Sequence, residues 1–186
     1  MSTWVVFALV AALAAYTVFL FNRLVSLRQM AAEGWSGIDV QLKRRADLVP
    51  NLVDTVKGYA AHEKALFAEI ARIRSDAIGL DAGNVAGRGQ VEGQLSGALS
   101  RLLAIAEAYP ELKASNNFLE LQKSLATVED EIQMSRRYYN GATRNLNVAV
   151  ETFPGNLVAG VFGFDKRDFF EIDDDSRANP QIAFNG

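Results

Sequence analysis

Hydrophobic and polar positions divide the chain into an unbroken apolar opening and a long periodic remainder. Trp4 to Phe21 (WVVFALVAALAAYTVFLF) is eighteen residues of almost pure hydrocarbon, and the first charged side chain is Arg23. As a helix it would extend about 27 Å, close to the roughly 30 Å core of a bilayer. The pattern predicts a transmembrane anchor over residues 1–22. A cleaved signal peptide and a buried core helix are the alternatives. A signal peptide carries basic residues before its apolar stretch and a small-x-small site after it. Here nothing basic precedes the stretch, and Ala12, Ala14 and Ala15 lie inside it. Trp4 near one end suits the headgroup layer.

Beyond the anchor the pattern is helical. From Trp35, apolar residues recur at spacings of three and four: Ile38, Leu42, Val49, Leu52, Val56, Tyr59, Leu66, Ile70, Ile73 and Ala77. That ladder predicts a helix about 65 Å long whose stripe packs on other helices. Val53, Ala60 and Phe67 widen the stripe, which suits a bundle better than a two-stranded seam. Pro50 has no N–H for the Ala46 carbonyl, so a kink is expected there; a full break with Asp47 as a new N-cap is the alternative. Gly79–Gly89 (GLDAGNVAGRG) reads as a loop or frayed helix start. A second helix follows to about Ala108 and ends at Tyr109-Pro110. A third starts near Asn117, with Asn117 and Glu120 at capping-box spacing. Its ladder runs through Phe118, Leu121, Leu125, Val128, Ile132, Ser135, Tyr139, Ala142, Leu146, Ala149 and Phe153 to Pro154.

The last apolar segment, Asn156–Phe164 (NLVAGVFGF), is too short to cross a membrane. It can cap the bundle, pack into a neighbouring subunit or touch lipid. From Asp173 the chain is polar and acidic, and a mobile tail over residues 173–186 is expected. The fold class is therefore all-α: an N-terminal transmembrane helix, then an antiparallel bundle of three long helices with a short C-terminal helical segment over residues 23–172.

Charge refines this picture. Arg23 and Arg28 follow the span, then Lys43, Arg44 and Arg45. Positive charge stays on the cytoplasmic side, which places the N-terminus outside and the domain in the cytoplasm. The net charge of -3 argues against a nucleic-acid partner. The absence of cysteine excludes disulfides, thiolate metal sites and cysteine nucleophiles.

Little else points to chemistry. His62-Glu63 opens like a zinc-protease motif, but Leu66 stands where the second histidine belongs, and His62 is the sole histidine. Asp173–Asp175 lacks the spacing of a calcium loop, and Gly83–Gly89 lacks the Lys-Ser/Thr of a phosphate loop. No catalytic, cofactor or metal residues are expected. Lys43–Arg45 can meet anionic lipid only if the chain bends, because a straight helix carries them about 30 Å out. Arg45 and Glu63 are the two charges on the buried ladder. Each needs a partner, since an unpaired buried charge costs several kcal/mol. Glu129, Asp130 or Glu131 is expected for Arg45, and Arg136 or Arg137 for Glu63.

Three blocks resemble the LemA family of small bacterial membrane proteins. They are Trp35–Glu63 (WSGIDVQLKRRADLVPNLVDTVKGYAAHE), Leu99–Gln122 (LSRLLAIAEAYPELKASNNFLELQ), and Glu129–Glu171 with its RRYYN, Phe153-Pro154 and GFDKRDFFE. Many members carry a second Tyr-Asn pair where this chain has Leu146-Asn147. The resemblance implies an N-terminal anchor in the bacterial inner membrane and an all-helical bundle. A relative associated with membrane-bounded organelles in magnetotactic bacteria implies a part in membrane organisation.

The expected function is a non-enzymatic, membrane-anchored scaffold that self-associates, with the lipid bilayer, further copies and membrane proteins as partners. Candidate interaction residues are Trp35, Arg45, Glu63, Leu157, Phe162, Phe164, Phe169 and Phe170, the last five within the patch Leu157–Phe170. The alternatives are an accessory subunit of a membrane enzyme, and a sensory or ligand-binding module with a cavity lined by Arg45, Glu63 and Ser135.

Overall fold

The computed structural model describes residues 2–81 and 83–172. The tail at 173–186, with Asp173–Asp175, lies outside the described residues. Those residues form six helices and no strand: α1 Ser2–Lys57, α2 Lys64–Gly79, α3 Val85–Glu107, α4 Pro110–Lys113, α5 Asn116–Glu151 and α6 Gly155–Phe162. The fold is all-α.

The apolar opening is the first part of α1, which is long and apolar enough to cross a membrane. Only 6 % of its apolar window is buried within the protein, as expected of a surface that meets lipid rather than a core. The same helix continues through Arg23 and the amphipathic ladder without a break as far as Lys57. Pro50 sits inside it, so the alternative of a new helix capped by Asp47 does not hold.

The expected single rod from Trp35 to Ala77 is instead a hairpin. Helix α1 ends at Lys57, and residues 58–63 turn the chain. Gly58 begins the turn, and the N–H groups of Tyr59 and Ala60 both return to the Val56 carbonyl. Two contacts fix the pairing: Arg74 Nε meets the Ala46 carbonyl at 2.6 Å, and Lys57 Nζ lies 5.7 Å from the Phe67 ring centre. Residues late in α2 therefore meet residues early in this part of α1, which is antiparallel packing. The ladder keeps its apolar identity because both arms bury it.

Contacts group the described residues into two units, 2–45 with 126–169 and 46–125 with 170–172. In the second, α2, α3, α4 and the adjoining parts of α1 and α5 close over Val49, Leu52, Val56, Ile70, Leu95 and Leu102. Helix α3 begins earlier than the glycine content suggests, because the Asn84 side chain caps the Gly87 N–H at 2.9 Å. Gly89 has a positive role: a Cβ there would strike the carbonyl oxygen of Glu171. The chain after Phe170 thus passes directly over α3, and Phe170 is wholly buried.

Helix α5 begins at Asn116, so Asn117 lies within its first turn rather than at the N-cap. The Leu119 N–H bonds back to the Ser115 carbonyl. In the first unit, α5 packs antiparallel on α1. Leu27 and Ala31 meet Ala142 and Leu146, while Gly34 lies against Tyr138 and Tyr139. A Cβ on Gly34 would come within 3.0 Å of the Tyr139 backbone, so its absence allows the close approach.

Candidate interaction surface

Arg45 and Glu129 meet inside the first unit. Arg45 is 0 % exposed, and its Nη1 lies 2.7 Å from Glu129 Oε1. The buried charge on the ladder thus has one of the carboxylates expected for it. Glu63 differs from expectation. It stands outside any helix, in the turn before α2, part-exposed and 3.5 Å from His62 Nε2. It is not a ladder position, because the helix has already ended at Lys57. Trp35 is half-buried, its ring 5.5 Å from that of Tyr139.

Tyr139 also organises the end of the described chain. Its hydroxyl donates to the Asp168 carbonyl at 2.8 Å. Two turns further along α5, the Asn147 amide takes both backbone groups of Arg167. It accepts from the N–H and donates to the carbonyl, each at 2.9 Å. Lys166 Nζ donates to Glu151 at 2.7 Å. The RRYYN and GFDKRDFFE blocks are thus one construction, in which α5 side chains hold an extended strap as a neighbouring strand would. Burial pushes the Tyr139 phenol above its usual range, with the Thr143 hydroxyl and Arg167 acting against it. The Glu151 carboxylate raises the exposed Lys166 ammonium. Leu146, at the place of the second tyrosine, is buried against α1.

Between α5 and the strap lies α6. It packs Val158 and Ala159 onto Leu20 and Leu24 of α1. Gly163 then takes φ 68°, a left-handed turn that suits glycine, and closes the helix. That turn sends Phe164 inward, 5.6 Å from the Phe21 ring and beneath the Arg28 guanidinium at 4.9 Å. Phe162 keeps an edge contact with Phe21 at 4.9 Å.

The predicted patch Leu157–Phe170 is therefore divided. Phe164 and Phe170 are buried and present nothing outward. Phe169, Leu157 and Phe162 remain exposed. Val161, within the predicted patch, and Phe153 are also exposed, each at 79 %. Phe153 was expected inside the α5 ladder, but α5 ends at Glu151 and frees it. The exposed face of α6 stands beside Leu20 and Phe21, where the apolar span ends.

A groove of about 580 Å³ opens between α1 and α5 in the same unit. Tyr16, Leu20, Arg23, Arg144, Asn145 and Phe153 are among its lining residues. Neither arginine is on an apolar ladder, so periodicity gave no sign of it.

Residues 34–184 match the LemA family. Magnetosome protein MamQ 2 of Paramagnetospirillum magneticum is 25 % identical over 186 residues, covering 87 % of this chain and 68 % of that protein. Magnetosome protein MamQ of Magnetospirillum gryphiswaldense is 25 % identical over 174 residues, covering 81 % and 64 %. Protein LemA of Metamycoplasma hominis is 29 % identical over 117 residues, covering 63 % and 53 %. An exposed apolar helix long enough for a bilayer, an all-helical fold and a family match over most of the sequence agree: the chain is a membrane-associated helical protein and belongs to the LemA family.

Proposed function

We propose that this protein is a non-enzymatic scaffold, anchored in the bacterial inner membrane with its helical domain in the cytoplasm, that self-associates and helps organise the membrane. One observation carries the reading: Leu157, Val161 and Phe162 leave α6 with exposed apolar residues while its Val158 and Ala159 pack on Leu20 and Leu24 at the end of the anchor. Exposed apolar clusters of this kind mark interaction sites. The anchor holds every copy at one depth, so copies in one bilayer present this face at matching heights. Confinement of that kind raises effective concentration without new contacts. The relatives named as magnetosome proteins support a role in membrane organisation. The basic residues Arg23, Arg28 and Lys43–Arg45 after the span support the cytoplasmic placement.

The chain has no native cysteine, so a Val161→Cys variant gives one defined crosslinking position. In native membranes, oxidation is expected to yield a covalent dimer, while a cysteine at exposed Asp54 yields none. Quenching of a probe at position 161 by brominated lipid, with no crosslink, would assign the face to lipid and defeat the scaffold reading.

A further inference from the structure

We infer that the groove between α1 and α5 is a binding site for a membrane phospholipid, with Arg23 and Arg144 holding its phosphate. This inference needs the anchor but not self-association, so either can fail without the other. It begins with depth. Tyr16 and Leu20 belong to the apolar span, and Arg23 is the first charge beyond it. All three line one groove of about 580 Å³. From Tyr16 to Arg23 the helix rises about 10 Å, from hydrocarbon into the headgroup layer. Helix α5 runs the other way and repeats the order, with apolar Phe153 just past its end and Arg144 further back. The groove therefore combines an apolar floor, with Leu20, Leu24, Leu27 and Val148 among its residues, with two arginines beyond the apolar span, the pairing of chain and phosphate that a phospholipid presents.

Charge points to an anion. No acidic side chain lines the groove. Arg45, Arg72, Arg88 and Arg101 are each matched to a carboxylate. Among the described residues, Arg23 and Arg144 have no acidic partner within 4.0 Å. Guanidinium groups match phosphate geometry with paired donors, and the Asn145 amide adds another.

The test uses the full chain in mild detergent, with native mass spectrometry of retained phosphatidylglycerol against phosphatidylcholine. Wild type is expected to retain phosphatidylglycerol preferentially. R23Q/R144Q should lose that preference by about ten- to thirty-fold, as for two basic residues at a lipid surface. K43Q/R44Q removes the same charge elsewhere and should keep it. Millimolar inorganic phosphate should not displace the lipid. Equal retention of the two lipids by wild type would overturn the proposal whatever the variants do. An equal loss in K43Q/R44Q would reduce it to general attraction, and displacement by inorganic phosphate would assign the site to a soluble anion; either result overturns it.

Discussion

The Arg74 guanidinium donates to the backbone carbonyl of Ala46 at 2.6 Å. That carbonyl is the one Pro50 leaves without its helical N–H, four residues on. An internal proline and a distant arginine are therefore complementary: α2 supplies the hydrogen bond that α1 cannot make for itself. The contact ties the hairpin arms together and lets α1 run through Pro50.

A double-mutant cycle tests this relationship. Arg74→Ala should cost about 1.5–3 kcal/mol, the range for a hydrogen bond to a charged group. Pro50→Ala restores an N–H to the Ala46 carbonyl, so Arg74→Ala should cost clearly less in that background. Denaturant unfolding measures all four chains. Equal costs in both backgrounds would show that Arg74 acts through something other than this carbonyl.

Arg45 and Glu129 predict a different signature. Glu129→Ala leaves a fully buried guanidinium short of its carboxylate and should cost about 3 kcal/mol. Arg45→Met with Glu129→Leu removes both charges and should recover most of that loss. A double variant as unstable as Glu129→Ala would mean that the charges themselves, and not their matching, support the fold.

Glycine to alanine should have opposite effects at two places in α3. At Gly89 the added Cβ meets the Glu171 carbonyl, and about 1–3 kcal/mol of destabilisation is expected. At exposed Gly97 nothing lies within 4 Å, and alanine should stabilise by about 1 kcal/mol. Thermal unfolding of the two variants distinguishes them by sign.

Alkaline pH provides a further check on the strap. The Tyr139 phenol is raised above its usual value of 10.0, so the folded state holds that proton longer. Its contribution is fully present below pH 10.0 and is lost as pH rises through the higher folded value. Lys166 is raised too, and its contribution falls in the same direction above 10.5. Tyr139→Phe keeps the lysine and removes the phenol. The variant should be less stable at neutral pH, and the difference from wild type should shrink as pH climbs above 10. A constant difference would mean that the phenol does not titrate with folding.

How much of this was legible follows from which residues break a pattern. The anchor was plain because eighteen consecutive positions carry no charge. Arg45 announced a partner because it replaces an apolar rung, and Glu129 supplies it. The hairpin was hidden because α2 buries the same kind of stripe as α1, leaving only Gly58 to signal the turn. That misplacement carried Glu63 onto a helix it does not join. The division of the C-terminal phenylalanines depends on Gly163: one left-handed residue leaves Phe162 outward and turns Phe164 inward. Arg23 and Arg144 come to line one groove only through the fold, and each is an ordinary polar position on its own helix.

The most direct test of the scaffold reading is the mass of the intact protein extracted from native membranes in mild detergent. An assembly of several copies is expected for wild type, falling to one copy when Leu157, Val161 and Phe162 are all changed to serine with helical content unchanged. A wild-type chain that extracts as a strict monomer with no protein attached would contradict it.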